Sequence, residues 1–170
     1  MQSDSTRDDN LLASLVAGAI AGAAATWAMG KVTEVLYDNE DKAVRQKEDS
    51  ARGGSTAYGV AAEKVAELAG TSLTKKERET DGTRIHWALG MGAGAVYGAL
   101  RSRIPAAGFA GGLGFGAAFW ALMDEGAVYA LGLTPGPASF PWQTHARGLA
   151  GHLVFGGVTD TTLSILQKVV

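Results

Sequence analysis

Four ionisable residues lie in otherwise apolar stretches of this sequence: His86, Asp124, Glu125 and His152. An ionisable side chain at membrane depth is costly, so each of the four is a functional hypothesis by default. Two imidazoles and two carboxylates can bind a divalent metal, because carboxylates are hard ligands and imidazoles suit zinc or iron. The same groups can pass protons or handle ions, because histidine titrates near neutral pH and burial favours the neutral form of a carboxylic acid.

A purely structural network is the third interpretation of these four residues. One of the two carboxylates would then pair with Lys31, Arg147 or a histidine, and the pair would fix the register of the helices. Lys31 is therefore a secondary candidate, together with Glu34 and His145, which the topology described below brings to the same end of the protein.

Asp160 is a separate secondary candidate. At 3.6 residues per turn it shares a helical stripe with His152 and Gly156, so it faces protein or water and not lipid. We predict a hydrogen bond between this carboxylate and a threonine or Tyr97. A haem held between His86 and His152 would have only two histidines in its favour, so no haem is predicted. No Ser–His spacing indicates nucleophilic catalysis, so we name no catalytic residue and leave open whether the chain is an enzyme.

The composition limits the class of protein. Fifteen basic and 17 acidic residues give a net charge of −2, without the basic surface that a nucleic-acid partner requires. Cysteine is absent, which excludes disulfides and thiolate metal sites. The 24 glycines lie mostly inside apolar runs, where each would cost a soluble helix about 1 kcal/mol relative to alanine. Small residues at every fourth position are instead typical of membrane helices, whose backbones they bring together.

We therefore predict an all-α integral membrane bundle of about four transmembrane helices, forming a single domain over residues 1–170 and contacting the lipid bilayer. The predicted spans are approximately 11–30, 85–100, 107–131 and 148–168. Acidic residues precede the first run, so we predict a retained span instead of a cleaved signal peptide. Glycines at every fourth position are predicted to pack the helices: Gly18, Gly22, Gly90, Gly94, Gly98, Gly108, Gly112, Gly116 and Gly156.

A charged loop over residues 31–84 separates the first two predicted spans and holds ten of the 15 basic residues. Residues 58–69 predict a short amphipathic helix, with one stripe that includes Val60, Val65 and Leu68. Thr74 and Glu77 have the spacing of a capping box at the start of the next helix. The helix in the loop would lie on the membrane surface, cap the bundle or simply cover the loop.

The distribution of basic residues predicts the orientation. The positive-inside rule places the loop at 31–84 in the cytoplasm and both termini on the other side. With that topology, His86, His145 and His152 come to the loop end of the bundle, together with Asp124 and Glu125. The ionisable residues are thus predicted to form one intramembrane cluster.

The stretch 132–156 resembles the C-terminal part of the YagU-like family of bacterial inner-membrane proteins, which carry a domain of unknown function. The resemblance rests on Gly132–Pro135, on Pro141–Trp142 and on Gly151–His152 followed by Phe155. His86–Trp87 and the region of Asp124 and Glu125 are also similar to the family. The resemblance implies a helical, multi-pass protein of the bacterial inner membrane and carries over no catalytic residues.

The sequence thus predicts a small polytopic inner-membrane protein of unassigned activity, with a histidine–carboxylate cluster of structural, proton-handling or ion-handling role. Two alternatives stay open. The first is an accessory or assembly subunit that docks on a larger membrane complex, or on copies of itself, through its glycine stripes. The second is a membrane-embedded metal-binding protein or metalloenzyme with His86, Asp124, Glu125 and His152 as ligands.

Overall fold

The computed structural model describes residues 2–169, with side chains over residues 11–168, and within that part of the chain it contains helices and no strand. The predicted all-α fold is therefore confirmed. The helices are α1 (Gln2–Asp38), α2 (Lys42–Arg52), α3 (Ala57–Leu68), α4 (Lys75–Arg101), α5 (Leu113–Leu122), α6 (Val128–Ala130) and α7 (Trp142–Val169). A π-helical turn, Met123–Ala127, joins α5 to α6, and short 3₁₀ turns occupy Pro105–Gly108 and Pro137–Ser139.

The backbones of α1 and α4 touch through glycines. A Cβ atom added to Gly94 would collide with the carbonyl oxygen of Gly18 and would lie 2.5 Å from the Cα atom of Gly22. One turn further along α4, a Cβ on Gly98 would collide with the carbonyl of Ser14. Residue numbers rise along α1 as they fall along α4, so the two helices are antiparallel. Only glycine at these positions allows so close an approach.

A second glycine contact joins α5 to α7. A Cβ on Gly116 would collide with the carbonyl oxygen of His152, and one on Gly112 with that of Gly156, so these helices are also antiparallel. The predicted packing role of Gly116 and Gly156 is thus confirmed, in contacts between helices of the same chain.

The third predicted span, 107–131, begins later than expected. Gly108 ends a 3₁₀ turn beside the Arg101 side chain, and Gly112 has φ +84° and precedes the first residue of α5. Neither glycine is on the helical stripe that the sequence predicts, because positive φ at positions 110–112 interrupts the helix. The continuous helix starts only at Leu113.

The segment 31–84 is mostly helical and is not an open loop. The first helix continues to Asp38, α2 and α3 follow, and α4 begins at Lys75, ten residues before the predicted span. The capping box of Thr74 and Glu77 is confirmed: Thr74 Oγ1 accepts from the Glu77 amide, and a Glu77 carboxylate oxygen accepts from the Thr74 amide.

The helix predicted at 58–69 is present as α3, but a different face of it is buried. Gly59, Ala62 and Ala66 are buried, whereas Val65 and Leu68 of the predicted stripe are 62% and 90% exposed. Small residues occupy this interface because the backbones of α3 and α4 lie close together. A Cβ atom added to Gly82 of α4 would lie 2.9 Å from the backbone nitrogen of Gly59 in α3.

Large apolar side chains lie mainly on the outside of the protein, and small ones lie inside. Ala21 and Ala25 are fully buried, whereas Val16, Ile20 and Trp27 of the same helix are 52–60% exposed. Two of the described helices are long and apolar enough to cross a membrane: Leu11–Asp38, with mean hydropathy 1.7, and Trp142–Lys168, with mean hydropathy 1.2.

The glycine contact predicts a position-specific response to a single methyl group on α4. We expect Gly94→Ala to lower the free energy of unfolding by about 1–3 kcal/mol, because α1 must move away to admit the Cβ atom. Gly92 lies on the same helix with nothing within 4 Å of its would-be Cβ, so Gly92→Ala is the matched control and should leave stability equal or slightly higher. Thermal unfolding in detergent measures both, and equal effects would contradict the packing.

Candidate functional site

A cavity of about 440 Å³ opens at the end of the bundle where α2 and α3 lie. Its walls come from α1, α2, α3, α4, the π-helical turn and α7. His86, Asp124, Glu125 and His145 all line it, whereas His152 lies behind the wall and is 2% exposed. The sequence prediction that these residues gather at one end is thus correct for the described structure.

The two carboxylates lie in the π-helical turn Met123–Ala127. Asp124 and Glu125 are adjacent in this turn, and each is closest to a different histidine of α7. A π turn inserts an extra residue into a helix, and such turns are frequent at functional sites. The side chains of adjacent helical residues point in different directions. Here Glu125 is directed to His145 and Asp124 to His152.

The pair of Glu125 and His145 is the tighter of the two. Glu125 Oε1 lies 2.6 Å from His145 Nδ1, and the other ring nitrogen, Nε2, lies 3.2 Å from the carbonyl oxygen of Pro137. Both side chains are about one quarter exposed, so water in the cavity reaches them. The pair connects the π turn to α7 and to the loop that precedes α7.

The pair of Asp124 and His152 is looser. Asp124 Oδ2 lies 3.6 Å from His152 Nδ1, and that nitrogen also lies 3.0 Å from the carbonyl oxygen of Gly148. A carbonyl can only accept a hydrogen bond, so Nδ1 carries a proton and donates it to Gly148. The ring packs edge-on against Phe119, with centroids 5.2 Å apart.

His86 contacts Tyr58 of α3, with ring centroids 4.8 Å apart. Both residues line the cavity of about 440 Å³ described above, and both also line a neighbouring cavity of about 500 Å³ between α3 and α4. Burial, followed by the charge of Asp124, raises the pKa of the Tyr58 hydroxyl to about 12, so this hydroxyl stays protonated at neutral pH.

The predicted metal site does not assemble. No group of three or more His, Cys, Asp or Glu side chains in the described part of the chain could hold a metal ion. The physical reason is that the two carboxylates separate at the π turn, and each faces one histidine. His86 contributes a ring contact to Tyr58 in place of a shared ligand position.

Lys31 and Glu34 are not part of a buried cluster. They form an ion pair with each other, 2.7 Å between Nζ and Oε2, and both side chains are about 60% exposed. Arg147, predicted as a partner for Asp124 or Glu125, pairs instead with two glutamates that the sequence analysis did not single out.

Those glutamates are Glu40 and Glu48, and Glu48 is 1% exposed. The guanidinium of Arg147 donates to both oxygens of Glu48 at 2.5 and 2.7 Å, and Arg52 donates to Oε1 at 2.6 Å. Thr144 also donates to Glu48, at 2.8 Å. This network ties α2 to α7 and forms one wall of the cavity.

Little in the order of residues indicates this network. Glu48 lies in a run of alternating charges that is typical of an exposed helix, and its burial depends on where α2 packs. One residue could have indicated the network. Arg147 is a lone cation near the start of an apolar run, and such a cation needs a carboxylate partner.

Asp160 lies at the opposite end of the bundle, where Tyr97 donates a hydrogen bond of 2.5 Å to Oδ1 and Arg101 Nε lies 3.3 Å away. The predicted bond to Tyr97 is confirmed. Between this pair and the cavity, Phe115, Phe119 and Phe155 pack on one another. Phe115 also contacts Tyr97 and Phe119 also contacts His152, so these apolar rings lie between the two polar ends.

Comparison with protein-family models, curated proteins and solved structures finds no match to this chain. The resemblance to the YagU-like family accordingly stays a prediction that rests on the residues quoted above.

The buried Glu48 network predicts acid-sensitive stability. Burial alone would raise the pKa of Glu48, but hydrogen bonds from Arg147, Arg52 and Thr144 outweigh it and leave the pKa below its ordinary value. The carboxylate therefore stabilises the fold above its unfolded-state pKa, and the contribution is lost as the pH falls through the lower folded-state pKa. Glu48→Gln should cost about 3 kcal/mol near neutral pH, because it leaves Arg147 short of a charge.

The matched control is Glu34→Gln, which removes an exposed pair worth less than about 1 kcal/mol. Thermal unfolding in detergent between pH 7 and pH 3 measures both variants. We expect the stability gap between wild type and Glu48→Gln to narrow toward the acid end; a constant gap, or none, would contradict the network.

Proposed function

We propose that this chain is a four-span protein of the bacterial inner membrane whose cavity, at the cytoplasmic end, binds and releases a proton through the pair of Glu125 and His145. The proposal has three parts: membrane insertion, the position of the site, and the chemistry of the pair.

The outward distribution of large apolar side chains supports membrane insertion. In water such a surface would be an aggregation hazard, whereas in lipid it is the ordinary exterior of a helix bundle. Exposed large apolar residues occur on α4 and on α5 as well as on the two longest apolar helices; examples are Val96 and Leu122. We therefore assign spans to α1, to α4 after residue 84, to α5 with α6, and to α7.

The orientation follows from the basic residues. Residues 31–84 hold ten of the 15, so the positive-inside rule places this end, and the cavity with it, on the cytoplasmic side. In this arrangement α3 presents exposed Val65 and Leu68 close to the membrane surface. Lys64 of α3 donates to the carbonyl of Leu131, which holds α3 against the end of α6.

The observation that carries the proposal is the hydrogen bonding of His145. Both of its ring nitrogens face oxygen acceptors: Glu125 Oε1 at 2.6 Å and Pro137 O at 3.2 Å. The carbonyl can only accept, so Nε2 must carry a proton. The short contact at Nδ1 needs a second proton, which we place on the imidazole because it is a stronger base than a carboxylate.

Loss of that proton would break one of the two contacts. A neutral ring has only one N–H, so its bare nitrogen would face either the Glu125 carboxylate or the Pro137 carbonyl, lone pair against lone pair. Pro137 belongs to the loop between α6 and α7. Release of the proton is thus linked to the contact between this loop and α7.

The charged and titratable groups around the pair come from every neighbouring element. They are Glu34, Glu48, Arg52, Tyr58, His86, Asp124, Tyr129 and Arg147. Glu48 is paired with Arg52 and Arg147, so Glu125 is the carboxylate that lies at hydrogen-bond distance from His145.

We do not propose conduction across the membrane. A continuous polar path would have to reach Asp160, and the rings of Phe115, Phe119 and Phe155 pack on one another between the cavity and that residue. The accessory-subunit hypothesis relied on glycine faces free to dock. In the described residues the stripes on α1, α4 and α7 are covered by the chain's own helices, as at Gly94 and Gly156. The metal hypothesis has no ligand set in the described residues.

The membrane part of the proposal is tested by fractionation. We expect the protein in the inner-membrane fraction, resistant to alkaline carbonate and released by detergent, because its apolar surface is lipid-facing. Labelling of single cysteines introduced at residues 76 and 103 of this cysteine-free chain should show opposite sides. Extraction without detergent, or the same side for both, would contradict the four-span topology.

The proton part is tested by ¹⁵N NMR of histidine-labelled protein, with His145→Gln identifying the signals. At neutral pH we expect both ring nitrogens of His145 to be protonated in the wild type. In Glu125→Gln the amide can donate to Nδ1, so His145 should become neutral with only Nε2 protonated.

Asp124→Asn is the matched control, because it removes the adjacent carboxylate from the same turn and should leave the state of His145 unchanged. A neutral His145 in the wild type would overturn the proton-binding proposal, and an unchanged His145 in Glu125→Gln would show that Glu125 does not hold the proton.

A further inference from the structure

We infer that the same cavity binds a small organic cation, an ammonium group on an apolar body, with Asp124 as the counter-ion. The inference rests on the proposed cavity site, but it uses a different carboxylate from the one that holds the proton. Its steps are the charge balance of the cavity, the surroundings of Asp124, and the polar groups left without a partner.

The carboxylates that line the cavity, apart from Asp124, each have a cationic partner at hydrogen-bond distance. Glu34 has Lys31 at 2.7 Å, Glu125 has His145 at 2.6 Å, and Glu48 has two arginines. Asp124 has only His152 at 3.6 Å, which is beyond hydrogen-bond distance. The proton on that nitrogen is already donated to Gly148.

Asp124 is therefore the carboxylate of this cavity whose hydrogen-bond acceptor positions are not used by the described side chains. Among the described side chains it receives no hydrogen bond, although an ionised carboxylate accepts at about four positions. A cation in the cavity would supply both the charge and the donors that the protein leaves out. A primary ammonium fits better than a metal ion, because no group of three or more His, Cys, Asp or Glu side chains among the described residues could hold a metal here.

The rest of the cavity suits the body of such a ligand. Tyr58, Trp120, Tyr129 and Phe140 line it. Aromatic faces attract cations and cover apolar groups, and a volume of about 440 Å³ lies within the range of small-molecule sites. Glycine at position 148 leaves space beside Asp124 and Trp120 in the cavity wall. A Cβ atom at that position would lie 3.1 Å from Asp124 Oδ2 and 3.2 Å from Trp120 Nε1.

Two further polar groups lining this cavity have no partner. Trp120 Nε1 and Thr134 Oγ1 are buried without a hydrogen bond. A buried indole N–H usually finds an acceptor, so these groups point to a ligand that carries a hydrogen-bond acceptor as well as the cation. The chemical class is thus an aromatic or apolar amine bearing a hydroxyl or similar oxygen.

Several charged and titratable groups lie around Asp124, in the wall of the cavity or directly behind it. They are Glu34, Glu48, Arg52, Tyr58, His86, Glu125, Tyr129, His145, Arg147 and His152. A protonated His86 would repel the ligand, so binding should weaken in acid. The two arginines are committed to Glu48 and do not compete for Asp124.

The test is calorimetric titration of the full-length, detergent-purified protein with three related probes: phenethylamine, 2-amino-1-phenylethanol and neutral 2-phenylethanol. We expect both amines to bind at neutral pH and 2-phenylethanol to bind at least about tenfold more weakly, because it lacks the charge. Equal affinities for the amine and the alcohol would mean apolar partition only and would overturn the inference.

Two variants locate the site. Asp124→Asn should weaken amine binding by about tenfold or more. The matched control Glu67→Gln, a carboxylate-to-amide change at an exposed position of α3 outside the cavity lining, should bind as wild type. Trp120→Phe should keep phenethylamine binding and lose the added affinity for the hydroxylated amine. Wild-type affinity in Asp124→Asn would overturn the assignment. Should that variant fail to fold, the preference of the wild type for amine over alcohol decides the matter.

Failure here is distinguishable from failure of the proposed function. A protonated His145 together with no amine binding would reject the cation and keep the proton site. Amine binding together with a neutral His145 would reject the proton site and keep the ligand.

Discussion

Backbone contact between α1 and α4 is the constraint on which the rest of the structure depends. At Gly94 the two helices approach so closely that a single methyl group would overlap the carbonyl of Gly18. This contact fixes the antiparallel register of the two helices. It also leaves a face of α1 for α7, where a Cβ on Gly151 would lie 2.6 Å from Thr33 Cγ2. Because the helices pack so closely, the buried positions are occupied by small residues, and large apolar side chains lie on the outer surface.

The register of α1 and α4 decides where the charged segment goes. Because α1 continues past its apolar part to Asp38, α2 begins beyond the end of the bundle and folds back over it. Glu48 then meets Arg147 at the start of α7, and a buried ion pair needs such additional hydrogen bonds to offset the desolvation of its charges. The charged segment is thus a structural cap on the cavity and not a spacer between spans.

Next to that cap, the two adjacent carboxylates of the π turn have different surroundings. Glu125 meets a histidine whose second nitrogen lies against the carbonyl of Pro137, so both ring nitrogens of that histidine face oxygen acceptors. Asp124 meets a histidine whose proton is used by Gly148, and this arrangement leaves the carboxylate open toward the cavity. Residues of the same type, one position apart, therefore have different chemistry because of their neighbours' hydrogen bonds.

The sequence by itself determined the helical class, the packing role of Gly18, Gly22 and Gly94, and the cap at Thr74. These depend on spacing along one helix or on the steric size of one residue, which a sequence displays directly. Only the tertiary structure decided that Glu48 is buried, that Val65 is exposed, and that Asp124 and Glu125 turn to different histidines. Each of those depends on which helix lies opposite, and the order of residues along the chain does not record that.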